Sequence, residues 1–284
     1  MARRPRIVGA KLYHHIYAWG NNRQPIFVTD QHYRRYLGFL ETYSEDYRVD
    51  IVAYCLMQSH IHLFVFDLPG KVSQFMTSLH GEYAKYYNHV TGHIGHVFGE
   101  RYNNKVVQAN VYGLWLSRYI HRQALAAGLV ADSREYHWSS YQAYLGETPL
   151  GFLKPEVILG QFGTGRERIR QYEKFVLSTE CGPVDWNARS VAVIGDESFR
   201  QDMRERETAE DHKNLTDEEV FNLLVEHFNV NPDLLLAARG LKEKRMRRKM
   251  IRYLVDDAGL RPTRVAQLCN ISSMAVQKAL NTEV

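Results

Sequence analysis

The chain has 284 residues, 45% of them hydrophobic and 24% charged, with a formal net charge of +4. That length can bury a substantial core and divide into more than one domain. No apolar run is long enough to span a bilayer, no apolar signal segment follows the basic residues 1–6, and Cys55, Cys181 and Cys269 are too scattered for a disulfide framework or zinc knuckle, so cytoplasmic residence is expected.

In chain order, residues 11–19 are β-prone, with Tyr13, His15 and Tyr17 on one face and His14, Ile16 and Ala18 on the other, and Gly20-Asn21-Asn22-Arg23 marks a turn. Asp30 opens a helix to about Tyr47, carrying Tyr36, Leu37, Leu40 and Tyr43 at helical spacing. A strand over 50–57 passes through Gln58-Ser59 into a second strand that ends at Pro69-Gly70, the pattern of an antiparallel hairpin. Residues 72–89 form an aromatic-rich helix, loop residues His93 and His96 read as solvent groups, and a short strand covers 102–108. Asn110 is the N-cap of a helix over 110–127, and Gly128 is its stop. Residues 136–144 are a packed aromatic extension. Strand-helix-strand-strand-helix-strand-helix is an α+β order, a small antiparallel sheet with helices packed on it, and it defines a first domain at residues 1–150.

Residues 151–214 read as a helical extension and linker, with short helices over 155–175 and 191–207 and an almost wholly polar stretch at 204–214. A third region, 215–284, begins with a capping box of Thr216 and Glu219 that opens an amphipathic helix through Phe228, followed by a brief helix at Pro232. After Gly240 a basic helix carries Lys242, Lys244, Arg245, Arg247, Arg248, Lys249 and Arg252 among Met246, Met250, Ile251 and Leu254. Residues 261–269 and 272–280 then have the rhythm of a helix-turn-helix, with Ser272, Ser273, Gln277 and Lys278 on the helix placed for a major groove.

The chemistry centres on His60-Ile61-His62. Strand alternation turns both imidazoles to one face, about 6 to 7 Å apart, where they can converge on one cation or merely sit on a wet sheet face. On the helix from Asn110, Tyr119 and Gln123 are i and i+4 and share a face. Phosphodiester cleavage needs a nucleophile in line with the leaving oxygen and a cation to offset developing charge. Tyr119 can supply the nucleophile; His60, His62 and the amide oxygen of Gln123 can hold the cation, Mg2+ or Mn2+. The competing reading makes Tyr119 one more half-buried packing tyrosine. Arg3, Arg4 and Arg6 form a basic arm that either meets phosphates or stays solvated. The cluster from Lys242 to Arg252 is the stronger electrostatic footprint, although Glu243, Asp256 and Asp257 partly balance it. Arg23, Lys105 and Arg118 are further candidates to line the nuclease site.

Several motifs occur together in order: Gly20-Asn21-Asn22-Arg23-Gln24-Pro25-Ile26-Phe27, then His60-Ile61-His62 after Ala53-Tyr54-Cys55-Leu56-Met57, then Tyr119-Ile120-His121 before Ala127-Gly128-Leu129, then Trp138-Ser139-Ser140-Tyr141. On these motifs residues 1–150 resemble the HUH single-tyrosine transposases, specifically the REP-associated branch. The resemblance implies a ferredoxin-like antiparallel sheet with packed helices. It also implies Tyr119 as nucleophile, His60, His62 and Gln123 as metal ligands, and cleavage of single-stranded or hairpin DNA from repeated palindromes without external energy. Two positions depart from the family pattern. Arg122-Gln123-Ala124 stands where Leu-Asn-Pro is usual, and Ser59 where asparagine is common, but neither change removes a functional group. The C-terminal part resembles, more loosely, the helix-turn-helix domain of the bacterial replication initiator, which adds duplex DNA as a partner.

The expected function is therefore a metal-dependent single-stranded DNA endonuclease and strand transferase working through a covalent 5′-phosphotyrosine. It would be cytoplasmic and nucleoid-associated, with no membrane partner and with a homodimer allowed. A domesticated, non-cutting regulator that only binds repeat DNA is the alternative, and the joint presence of Tyr119, His60, His62 and Gln123 favours the enzyme.

Overall fold

The computed structural model describes residues 7, 9–180, 182–186, 188, 191–208, 222, 241–252, 254–255 and 262–281. In it β1 (Leu12–Trp19), β2 (Val49–Met57) and β3 (His60–Asp67) form the centre of a sheet. Met57 pairs with His60 across the two-residue connection Gln58-Ser59, so the hairpin fixes its own register. The other side of β3 pairs antiparallel with β1, setting Tyr17 opposite His62 and Trp19 opposite His60. β4 (Asn103–Val107) flanks β1, and β5 (Val193–Ile194) joins it in parallel, giving the order β2-β3-β1-β4-β5.

Helix α1 (Asp30–Tyr47) connects β1 to β2, and α2 (Val72–Thr91) connects β3 to β4. This βαββαβ order with β1 and β3 central is the expected ferredoxin-like arrangement. Each helix joins two parallel strands across one intervening strand, and right-handed crossovers bring both helices to the same face. Ile16, Ala18, Ile61, Leu63 and Val65 point to that face and are fully buried, while α1 and α2 pack on each other. The alternate residues, among them His15, Tyr17, Trp19, His60, His62 and Phe64, turn to the second face, which receives α3 (Val111–His121). Gly113 permits that approach: a Cβ there would stand 3.4 Å from the ring of Phe64.

The helix ends follow local chemistry. α1 starts at Asp30, the residue expected to cap it, and the N-cap is one residue earlier: Thr29, whose N–H donates to His32 Nδ1, with Asp30 in the first turn. The helix predicted over 110–127 starts at the expected Asn110, whose side chain accepts the N–H of Tyr112, but it is interrupted at Arg122 and resumes as α4 (Gln123–Ala126). Gly128, at φ +69°, takes the left-handed conformation that ends it.

Residues 136–140 run beside β2 and lead into α5 (Tyr141–Tyr144). α6 (Glu156–Leu159) and α7 (Glu167–Leu177) bury Ile158, Leu159, Tyr172 and Val176 in the same core as the sheet. The single helix predicted over 191–207 is instead β5 followed by α8 (Glu197–Thr208). Valine and isoleucine favour the strand, and Asp196 marks the change by accepting the N–H of Phe199.

The chain divides into two compact units, Met1–Glu210 and Asp211–Val284. In the second, α9 (Leu241–Arg252), α10 (Pro262–Leu268) and α11 (Ser273–Asn281) bury Met250, Ile251, Val265, Ala266, Val276 and Ala279. Between α10 and α11 the Ile271 N–H donates to Ala266 O, and Ser272 Oγ accepts the N–H of Ala275. The expectations for Thr216, Glu219, Phe228 and Pro232 lie outside the described residues. Among the described residues, no helix is long and apolar enough to cross a membrane.

Candidate active site

β3 and α3 bring the residues singled out from sequence to one place. The His60 and His62 rings lie 5.2 Å apart at 85°, and the Tyr119 ring meets His62 edge-on at 5.5 Å. Gln123 Nε2 donates to the backbone carbonyl of Tyr119 at 3.2 Å, which keeps the amide against the turn that carries Tyr119, where α3 is interrupted. His121, between them in sequence, faces away. Its Nδ1 is 2.6 Å from Tyr172 Oη and its Nε2 2.8 Å from Ser140 Oγ, in a fully buried network that reaches Ser117 and the backbone of Tyr54.

Other elements complete the surround. His60 stacks on Trp19 at 3.9 Å, and the Arg23 guanidinium covers the other side of Trp19 at 3.8 Å. His15 lies next to His62, with Nε2 3.1 Å from His62 Nδ1. Lys105, paired with His15 in the sheet register, sends its ammonium to the carbonyls of Trp186 and Ala188 at 2.7 and 2.9 Å. This anchors a strap from a distant part of the chain, and the Trp186 ring lies against His15 and Tyr119. Arg118 donates to the carbonyls of Phe175 and Ser178, and Arg122 to Val176 O, so two guanidinium groups cap the negative end of α7.

Burial dominates the electrostatics. It lowers the pKa of His60 to about 4, with the Arg23 charge adding to the effect, and that of His15 to about 3, helped by Lys105. His62 is held well below the usual imidazole range by burial and then by its two histidine neighbours. Three neutral imidazoles are therefore present at neutral pH, each with a lone pair. The Tyr119 phenol is raised by burial, lowered by a hydrogen bond from Gln123, and raised again by Tyr17 and Asp185. The phenol is therefore protonated at neutral pH.

Among the described residues no group of three or more His, Cys, Asp or Glu side chains forms a ready-made metal site. The donors that remain are the His60 and His62 imidazoles and the Gln123 amide oxygen. Ser59 Oγ lies 3.3 Å from His60 Nδ1, and His15 occupies Nδ1 of His62, so Nε2 is the nitrogen left on each ring. Two neutral imidazoles and an amide oxygen suit a divalent cation with coordination positions left open for phosphate oxygens and water.

Of the predicted DNA-contacting residues, Arg23 is exposed at the edge of the site, whereas Arg3, Arg4 and Arg6 lie outside the described residues. In the second unit Ser272, Ser273, Gln277 and Lys278 are exposed, Arg248 is half-buried, and Arg252 donates to Leu280 O. Lys242, Arg245 and Lys249 belong to α9, and their side chains lie outside the described residues. His15, Trp19 and Trp186 had no assigned role in the sequence reading. Strand parity already aimed His15 at the face of Tyr13 and Tyr17, but nothing local reveals which strand lies beside it or that the strap returns.

Residues 9–123 match the family model described as transposase, IS200-like. No curated protein matches the chain. A solved structure of a REP-associated tyrosine transposase bound to a REP hairpin is similar over 54% of this chain and 95% of its own, at 15% identity and a TM-score of 0.42. A candidate transposase from Deinococcus radiodurans R1 is similar over 43% of this chain and 98% of its own, at 19% identity and a TM-score of 0.31.

Proposed function

We propose that the chain, whose residues 9–123 match the IS200-like transposase model, is a REP-branch DNA transposase that cuts and rejoins single-stranded or hairpin DNA through Tyr119. The observation that carries this reading is the convergence of a phenol, an amide and two neutral imidazoles on one sheet face, with Tyr119 5.5 Å from His62. The Tyr119 oxygen attacks phosphorus and forms a P–O bond. The bond from phosphorus to the 3′ oxygen breaks, that oxygen takes up a proton, and the phenolic proton passes to solvent. The 5′-phosphate remains esterified to Tyr119, so a 3′-hydroxyl can later attack it and rejoin the strand without external energy.

His60, His62 and Gln123 would hold Mg2+ or Mn2+, which would polarise the phosphoryl oxygens and offset their developing charge. Burial keeps both imidazoles neutral and able to ligate. Arg23, held flat on Trp19 beside His60, is suited to a DNA phosphate at the entrance. The exposed Ser273, Gln277 and Lys278 on α11, with the basic α9, form the helix-turn-helix surface for duplex DNA, and Arg3, Arg4 and Arg6 add phosphate contacts. Nucleoid association and a homodimer on palindromic repeats accompany this reading.

The test is a labelled single-stranded hairpin incubated with the protein and Mn2+, then run on a denaturing gel. A retarded covalent band is expected. Tyr119→Phe keeps the aromatic ring but loses the nucleophilic oxygen, so it should abolish the band while leaving hairpin affinity unchanged. Persistence of the band in Y119F would place the nucleophile elsewhere. Tight binding by the wild type with no adduct would instead favour a non-cutting repeat-binding protein.

A further inference from the structure

We propose that His15 is a positioning residue for His62. Through its Nε2 it fixes the orientation and the proton position of the His62 ring, and thereby sets cation affinity at the site. The inference rests on the reading of His60, His62 and Gln123 as cation ligands.

The two rings are the buried pair of the sheet face, His15 fully buried and His62 at 5% exposure. Their nitrogens lie 3.1 Å apart, and the ring planes are 19° from parallel with centroids 5.4 Å apart. His15 also meets Tyr119 edge-on at 5.8 Å and Trp186 edge-on at 5.9 Å, so its own ring is held from two further sides. His15 thus touches the assigned ligand, the assigned nucleophile and the strap at once.

Two neutral imidazoles share one proton across a nitrogen–nitrogen contact, and the direction of that bond decides what His62 offers on its other side. If His15 Nε2 donates, His62 carries its proton on Nε2, which then has no lone pair for a cation. If His62 Nδ1 donates, Nε2 of His62 is free to ligate, and a ligating histidine generally donates its second ring N–H in this way. In that arrangement the proton of His15 sits on Nδ1, which is buried and has no hydrogen-bond partner among the described residues. A buried N–H without an acceptor is harder to accommodate than a buried bare lone pair. The resting pair is therefore biased toward a His62 that does not ligate, and a cation must reverse both rings as it binds. The contact aims His62 and supplies the acceptor that its Nδ1 proton needs once a cation is bound.

The experiment is calorimetric titration of the full chain with Mn2+ in the absence of DNA, on wild type, His62→Ala, His15→Leu and His15→Gln. Circular dichroism at the titration temperature verifies that each variant is folded. Leucine fills the space without an acceptor, and H15L should bind Mn2+ roughly 10- to 100-fold more weakly than wild type. In H15Q the amide oxygen stands where Nε2 was and accepts from His62 Nδ1, so affinity should return to within about threefold of wild type. A purely structural role would not distinguish these two variants in this way. Long-range proton–nitrogen spectra of the histidine rings supply a second readout: adding Zn2+ should move the His62 proton from Nε2 to Nδ1. H62A should lose binding outright. If H62A loses binding while H15L binds as wild type, or if the His62 proton does not move, the role of His15 is overturned. If H62A itself binds Mn2+ normally, the ligand assignment beneath the inference fails instead.

Discussion

The Trp186 ring lies 5.9 Å from the Tyr119 ring with 32° between their planes, although Trp186 falls well beyond the family-matched segment. Its backbone is pulled over the sheet by the buried ammonium of Lys105. The ring, at 6% exposure, packs against Tyr119 and His15. Trp186→Ala should destabilise the protein by about 3 kcal/mol, since large aromatic truncations leave a cavity. It should also slow adduct formation about tenfold or more, because the freed Tyr119 ring loses its attack geometry. Trp186→Phe should recover most of both. Single-turnover cleavage at the wild-type rate by a folded W186A would show that the indole does not hold the nucleophile.

His121 sits within the motif that carries Tyr119 but serves the core. It is 1% exposed and bridges Tyr172 and Ser140, and burial lowers its pKa to about 3. His121→Ala should cost on the order of 3 kcal/mol from the cavity and the lost hydrogen bonds, read as a fall in the urea midpoint. Mn2+ affinity of the folded fraction should stay at the wild-type value. A selective loss of metal binding in H121A would assign it to the site.

Arg23 and Arg118 were equivalent candidates in the sequence, and the fold separates them. Arg118→Ala removes a cap from α7 and should lower stability by about 1–2 kcal/mol with no change in the salt dependence of hairpin binding. Arg23→Ala should leave stability nearly unchanged and reduce the slope of log K against log salt by about one phosphate contact. The reverse pattern in a salt titration would contradict the placement of both residues.

Asp67 ends β3, and its two carboxylate oxygens accept the N–H groups of Lys71 and Val72, at the start of α2, at 2.8 and 2.7 Å. Burial raises its pKa from 3.8 to about 6 against the pull of those N–H groups. The folded state therefore binds the Asp67 proton more tightly than the unfolded chain, so this contribution to stability is present below pH 4 and is lost as pH rises to about 6. The displacement corresponds to about 3 kcal/mol. Melting temperatures compared across pH 4–6 should show the wild type losing stability relative to Asp67→Asn as pH rises. Parallel curves would mean that the carboxyl titrates normally.

Much of the site was legible because its spacing is local. Strand parity alone turned His60 and His62 to one face, and helical spacing joined Tyr119 to Gln123 even though Arg122 interrupts the helix between them. The two-residue connection at Gln58-Ser59 set the hairpin, and Asn110 and Gly128 marked helix ends by their backbone chemistry. What could not be read depends on partners distant in the chain. The role of His15 exists only because β1 lies beside β3, and that of Trp186 only because Lys105 retrieves the strap. Val193 and Ile194 were read as helix because a two-residue strand has no periodicity of its own; β4 gives it meaning. Arg118 looked like a candidate to line the nuclease site because its charge is visible in sequence, while the α7 carbonyls that use it are not.

Along β2, the Tyr54 N–H donates to Ser140 Oγ and the Leu56 N–H to Trp138 O, while the carbonyls of Ile51, Val52, Tyr54 and Leu56 accept from Lys154 N, Tyr144 Oη, Ser140 N and Tyr136 Oη. The outermost strand is thus already saturated by the protein's own later residues. A second molecule finds no bare template there on which to extend the sheet, which guards against edge-to-edge aggregation.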